Sequence, residues 1–382
     1  MNILIAPDSF KGSIKAKEFC DITEKAILSV MPSANVIKVP LADGGEGTIE
    51  ALVSNTNGEI KKEVVTDPIG GKVNARYGIL GDGKTAVIEM ATASGLPLVS
   101  EDKRNPMNTT TYGTGELVLK ALDEGCKKII MGIGGSATND GGAGMAKALG
   151  FKLLDENKNP IKEGAKGLLS LESIDTTSKD KRLEGVEFQV ACDVNNPLCG
   201  ENGASFVYGP QKGATKEELP ILDKALYNFS KVVKKDLGKE VLDVEGSGAA
   251  GGLGAGILAF LDGKLKPGFE IIKEVTKLKS IFKENDIDLV ITGEGEMNYQ
   301  TVNGKLPVGV SSISKENDVS VMAIVGSKGE GYEKVYKKGI DSVISIIDKP
   351  MDIDNAMENG KDLLYDCVKN QFKLIKSLNC LY

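Results

Sequence analysis

Residues 1–41, MNILIAPDSFKGSIKAKEFCDITEKAILSVMPSANVIKVPL, decide the fold. Met1 to Ala6 is a short apolar run, Pro7 to Ser13 a polar loop, and Ile14 to Val30 a helix-like stretch, which together read as a strand, a loop and a helix. A second strand over Val36 to Leu41 ends in ADGGEGT and leads into a further helical pattern from Thr48 to Val53. The last third of the chain repeats this style, with strands at Asp288 to Thr292, Val319 to Val325 and Ser342 to Ile346 separated by helical lengths. Continuous apolar strands of this kind are the mark of a parallel sheet buried on both faces.

The middle of the chain has another texture. Hairpin-like β patterns at Val73 to Leu80 and Thr85 to Met90 flank the turn residues GDGK, and strands follow at Lys128 to Ile133 and Glu187 to Cys192 with a helix between them. A chain of 382 residues is too long for one comfortable core. The expected fold is therefore α/β with two domains. Residues 1–64 and 286–382 form a discontinuous doubly wound domain and residues 65–285 an inserted second α/β domain, with the active site in the cleft between them.

Composition narrows the chemistry. Hydrophobic residues are 41% and charged residues 26%, the mixture of a soluble globular protein, and no apolar run is long enough for a membrane helix. The amino terminus enters a strand pattern without a basic region or cleavage site, so a cytoplasmic location is expected. A net charge of −7, with Arg76, Arg104 and Arg182 the only arginines, disfavours nucleic acid as a partner. Cys20, Cys126, Cys192, Cys199, Cys367 and Cys380 are scattered without a CxxC pair and read as reduced thiols, mostly buried. The chain has no histidine at all. Ser-His-Asp and Cys-His mechanisms and histidine-ligated metals are thereby excluded, leaving carboxylate, lysine, hydroxyl, backbone-amide and oxygen-ligated metal chemistry. Phosphoryl transfer, which depends on positioning and charge neutralisation, fits that inventory.

Several segments could carry it. Asp8, Ser9 and Lys11 lie in the loop at the carboxyl end of the first strand, where open α/β sheets present their ligand crevice; Ser9 or Ser13 could cap the helix, a reading that leaves Lys11 unexplained. Asp43 and Glu46 in DGGEGT add carboxylates to flexible backbone after the second strand, or belong to a tight turn with an acidic first helical turn. The run GIGGSATNDGGAG at 132–144 sets Gly134, Gly135, Ser136, Thr138, Asn139 and Asp140 between a strand and a helix. Bare amides at a helix start make an anion site, although the run is neither a P-loop nor a dinucleotide fingerprint, and helix packing is its alternative. The same choice between phosphate contact and packing applies to Gly251 and Gly252 in GSGAAGGLGAG. Asp193 follows an apolar strand and suits base or metal duty, and Lys212 in GPQKGA suits phosphate neutralisation; the plain alternatives are an Asx turn and a solvated lysine. Glu294 in TGEG is a candidate magnesium ligand or substrate contact, with Gln300 and Lys305 close behind it.

Taken in order, APDSFKGS, ADGGEGT, GIGGSATNDGGAGM, CDVNNPL, GPQKGA, GAAGGLGAG, ITGEG and QTVNGKLPVGV resemble the bacterial type-1 glycerate kinase family along nearly the whole chain. The resemblance implies ATP and Mg²⁺, D-glycerate as substrate, and a phosphoglycerate product, 2-phosphoglycerate favoured over 3-phosphoglycerate. It also implies a two-domain α/β architecture with one flavodoxin/Rossmann-like domain. On this reading Lys11, Asp43 and Asp193 are the catalytic candidates, and Lys11, Lys212 or Lys305 neutralise phosphate oxygens and the glycerate carboxylate. Glu294 and the residue at 298 are the metal candidates. Relatives carry aspartate in TGEGxxDxQ where this chain has Asn298, whose amide cannot serve as a carboxylate base. The competing expectations are a kinase or phosphatase for another small hydroxy acid, and a binding or sensor protein without turnover, which only Asn298 favours.

Overall fold

The computed structural model describes residues 1–303 and 305–379, so Gly304 of the QTVNGK stretch and Cys380 lie outside the described residues. The chain divides into two compact units, one built from Met1–Asp43, Glu50–Asn55 and Ile272–Tyr382, the other from Gly44–Ile49 and Thr56–Ile271. Both are α/β, as the sequence indicates. Among the described residues no helix is long and apolar enough to cross a membrane.

In the first unit Ile3, Leu4 and Ile5 are fully buried, which requires cover on both faces of their strand. That strand, Asn2–Ile5, runs parallel to Asn35–Lys38 on one side and to Leu289–Thr292 on the other, with Ile3 opposite Val36 and Leu289. Ser320–Val325 and Ser342–Ser345 complete a five-stranded, wholly parallel sheet. Counted in sequence order within the unit, the strands lie 2-1-3-4-5, the flavodoxin-like arrangement, whose crevice opens where the order reverses between the first and third strands. The second strand is shorter than its apolar run suggests. It stops at Lys38, and Pro40 has no N–H to give a neighbour, although the amides of Val39 and Leu41 still reach the carbonyls of Ile5 and Pro7.

Helix Ala16–Val30 buries Phe19, Cys20, Thr23, Ala26, Ile27 and Val30, a stripe at helical spacing. Its partners include Leu364, Val368 and Phe372 of the last helix, Gly360–Asn379, and Lys361 adds an ion pair to Glu18 at 2.7 Å. Phe19 also meets Phe10 edge to face at 5.4 Å between ring centres.

The second unit has a six-stranded sheet in the order Lys264–Lys266, Glu187–Ala191, Lys128–Gly132, Thr85–Glu89, Lys72–Ile79, Glu59–Thr66. The first four are parallel, and the last two form antiparallel pairs. The GDGK hairpin forms where its turn chemistry places it, with Asp82 accepting the amides of Lys84 and Thr85 and Gly83 at φ +64°. Strand Glu59–Thr66 is absent from the sequence reading. Only one of its residues EIKKEVVT is buried, so it lacks the apolar signal that betrays a buried strand.

Replacing the fully buried Phe19 by alanine is expected to lower the free energy of unfolding by ~3–5 kcal/mol, measured by urea titration followed by circular dichroism.

Candidate active site

A cavity of about 610 Å³ opens in the first unit at the carboxyl ends of four neighbouring parallel strands. Asp8 comes from the loop after Asn2–Ile5, Glu294 from the loop after Leu289–Thr292, Gly326 and Ser327 from the end of Ser320–Val325, and Ile346 and Ile347 from the end of Ser342–Ser345. The first two flank the point where strand order reverses, the place such sheets use for ligands. Lys11, Asp43, Asn298 and Lys305 line the same cavity.

Its carboxylates are tuned by burial. Asp8 is 8% exposed, and burial together with the neighbouring Asp43 carboxylate pushes its carboxyl up to about 7, against the opposing pull of the Ser9 amide at 2.7 Å and the charge of Lys11. Glu294 is 7% exposed and is also raised by burial, opposed by the hydroxyl of Thr301, which donates to it at 2.7 Å, and by Lys305. Lys11 reaches to 3.9 Å from Asp43 with most of its side chain in solvent, so it is free to turn toward an anion. Asn298 is committed to local structure: its side-chain oxygen accepts the Gln300 amide at 2.9 Å and its amide nitrogen donates to Glu296 at 2.7 Å. Gln300 itself is exposed and does not line the cavity.

The remaining candidates belong to the second unit. There two amides of the GIGGSATNDGGAG run are taken by the chain's own carboxylate. Asp140, fully buried, accepts from Thr111 N and Oγ1 at 2.9 and 2.8 Å and from the amides of Gly142 and Gly144 at 3.1 Å. Burial nonetheless raises its carboxyl above the ordinary range. Asn139 donates to the Ser205 hydroxyl at 3.0 Å. Lys212 is not solvated: it is 1% exposed, donates to the Thr138 carbonyl at 2.7 Å, and is pulled down to about 7 by burial despite the charge of Asp140. Gly251 and Gly252 are closely packed. Both have left-handed φ, +68° and +85°, and a Cβ on Gly251 would stand 2.0 Å from the Thr138 carbonyl oxygen.

Gly134 and Gly135 are exposed, and Ser136 is bridged to Gly95. Glu46 is exposed, while the amides of Gly47 and Ile49 beside it donate to Glu89 at 3.1 and 2.8 Å. Asp193 accepts the amide of Gly268, at the start of helix Gly268–Val275, at 2.8 Å.

The sequence reading missed Glu89, Thr301 and the wall that Met351, Ile353 and Met357 give the cavity. Glu89 ends a strand that reads as core. Thr301 was visible inside QTVNGK as a hydroxyl seven residues after a glutamate, though nothing in the sequence shows that the loop turns back.

The crevice thus brings buried carboxylates and exposed lysines together in a chain without histidine. Residues 3–376 match the glycerate kinase family, and the chain belongs to it. It is accordingly a kinase, a phosphotransferase. It is 52% identical to a glycerate kinase of Halalkalibacterium halodurans, over 96% of each chain. It is 48% identical to the glycerate 2-kinase of Escherichia coli, over 97% of each chain. A crystal structure provisionally assigned as glycerate kinase 2 of Salmonella typhimurium superimposes with a TM-score of 0.90 at 46% identity, covering 99% of both chains.

Because the folded state holds the Asp8 proton up to about pH 7 and the unfolded chain releases it near the ordinary value of 3.8, ionising Asp8 costs stability as pH rises between those values. Asp8→Asn removes that cost. In metal-free protein the variant should match the wild type below about pH 4 and melt at a progressively higher relative temperature up to pH 7, with the gap level beyond; a gap that does not change with pH would show Asp8 ionised throughout.

Proposed function

We propose that the chain transfers the γ-phosphoryl group of ATP to D-glycerate, giving 2-phosphoglycerate, in the cytoplasm and with Mg²⁺. The observation that carries the reading is the meeting of Asp8, Glu294, Lys11 and Lys305 in one strand-end cavity of a member of this family. The relatives named glycerate kinase and glycerate 2-kinase support the acceptor and the position of phosphorylation.

The donor set fits magnesium. Asp8, Asp43, Glu294, Glu296 and Asp352 outnumber Lys11 and Lys305 around the cavity, so a polyphosphate would enter a net negative site unless a cation came with it. All of these ligands are hard oxygens. No preformed group of three acidic or thiol ligands occurs among the described residues, which suits an ion that keeps its waters and binds through one or two carboxylates plus substrate phosphates. Asp43 and Glu294 would hold it; the side-chain oxygen of Asn298 already serves the Gln300 amide. When bound, the ion would neutralise phosphate charge.

Asp8 serves as proton acceptor for the attacking hydroxyl of glycerate. It is buried in the cavity, and a carboxyl poised near 7 has the basicity that carboxylates otherwise lack. Asp193 is the weaker choice, because its carboxylate is engaged at a helix start. Lys11 and Lys305 neutralise the oxygens of the transferred group and the glycerate carboxylate, and Thr301 fixes the Glu294 carboxylate.

Incubation with ATP, Mg²⁺ and D-glycerate should yield 2-phosphoglycerate by phosphorus NMR; absence of phosphorylated glycerate would overturn the reading. Lys11→Ala should lower kcat/KM by ~10²–10³-fold, and an unchanged value in the folded variant would remove Lys11 from the site. Asn298→Asp puts a carboxylate beside Glu296 and should lower the magnesium concentration needed for half-maximal rate. A constant requirement would place residue 298 outside the working site.

A further inference from the structure

The charged residues account for only part of the cavity. Ile346, Ile347, Met351, Ile353, Ala356 and Met357 also line it, supplied by the end of strand Ser342–Ser345, the segment after it and helix Ile353–Glu358. Two of these residues are exposed, Ile353 at 71% and Met357 at 37%. Apolar side chains gathered at the mouth of a site that already carries charge call for an amphipathic ligand.

The strand order supplies a length. Ser342–Ser345 is two strands away from Leu289–Thr292 and three from Asn2–Ile5, so the strand ends bearing Ile346 and Glu294 are ~10 Å apart and those bearing Ile346 and Asp8 ~14 Å. Glycerate, a three-carbon acid, has neither the length to span the two ends nor an apolar face to offer. A bare polyphosphate has no apolar part at all. A nucleotide has both: a flat base at one end and the phosphates at the other.

We infer that the wall formed by Ile346, Ile347, Met351, Ile353 and Met357 takes the purine base of the nucleotide, with its phosphates directed to the Lys11 and Lys305 side of the cavity. The inference rests on the reading that ATP is the phosphoryl donor. Methionine and isoleucine suit a base's flat face: burial drives the contact, and the flexible, polarisable thioethers of Met351 and Met357 adapt to the ring and favour its edge. The position of Met357 is fixed from the phosphate side. Its backbone carbonyl accepts the Ser13 hydroxyl at 2.8 Å, and its Cε lies 2.7 Å from where a Cβ on Gly12 would stand. The residue after Lys11 thus has no side chain, and Met357 occupies the space. The wall and the Lys11 loop are one construction, which ties the seat of the base to the seat of the phosphates.

The test uses Ile353→Asp and Met357→Gln, singly and together, in full-length protein whose circular dichroism matches the wild type. Titration with the fluorescent nucleotide mant-ADP, in the presence of Mg²⁺, should show Kd raised about tenfold or more in the double variant, with a parallel rise in KM for ATP and less than a twofold change in KM for D-glycerate. Competition by inorganic tripolyphosphate, which has no base, should be unaltered by the substitutions. Unchanged mant-ADP affinity, an equal rise in KM for D-glycerate, or an equal loss of tripolyphosphate binding would each overturn the assignment. If the wild type phosphorylates glycerate from ATP and the variants bind nucleotide normally, only the seat of the base is wrong. If the wild type does not use ATP, the functional reading falls and takes this inference with it.

Discussion

One pairing sets the geometry on which the candidate site depends: strand Asn2–Ile5 lies between Asn35–Lys38 and Leu289–Thr292 in parallel register, Ile3 facing Leu289 across a sequence separation of 286 residues. The register continues past the strands, with the Ala6 amide on Ile291 and the Asp8 amide on the Gly293 carbonyl at 2.8 Å. Because each strand's side chains alternate, a slip of one residue in this register would turn Asp8 and Glu294 to the wrong faces. The acidic pair is thus placed by backbone hydrogen bonding, and burial then sets its proton affinity.

The second unit handles buried polarity differently. Asp140 gathers two amides of its own loop, the Thr111 amide and the Thr111 hydroxyl, and Lys212 places its amino group on the carbonyl of Thr138, two residues before Asp140. A buried charge is tolerable only with several partners, which Asp140 has; Lys212, with the Thr138 carbonyl as its hydrogen-bond partner, is instead pulled down to about 7 by burial. The glycines around them allow the approach: Gly251 and Gly252 adopt a left-handed backbone and lie directly on residues 138–141. A loop that resembles an anion site in sequence here gives the amides of Gly142 and Gly144 to its own carboxylate.

The parallel strands of the first unit were legible because each is a short continuous apolar run, and Asp8, Asp43 and Glu294 because they end or follow such runs. What was not legible depended on contacts distant in sequence. Nothing in TGEGEMNYQT shows that Thr301 returns to Glu294, and nothing in GPQKGA shows that Lys212 is buried on Thr138. A lysine in a glycine-rich loop has the same local pattern whether it meets phosphate or a carbonyl. The wall of Met351, Ile353 and Met357 escaped notice for a related reason: its residues sit in a segment rich in aspartate and asparagine, whose apolar members are too few to form a periodic signal. Strand Glu59–Thr66 went unread because it is an exposed edge, where lysines and glutamates keep other chains from pairing with it.

The long separation between Ile3 and Leu289 also orders events in time. During synthesis the first strand leaves the ribosome with three residues destined for full burial, and its neighbour on one side does not exist until the chain has grown by 286 residues. At 5–20 residues per second that interval is roughly 15–60 s. Throughout it the nascent chain carries an apolar strand with an unfilled edge, the kind of surface that aggregates or recruits chaperones. The unit bearing the cavity is therefore the last to close, and a polypeptide truncated anywhere before Thr292 lacks both the strand that completes the centre of its sheet and the loop that supplies Glu294.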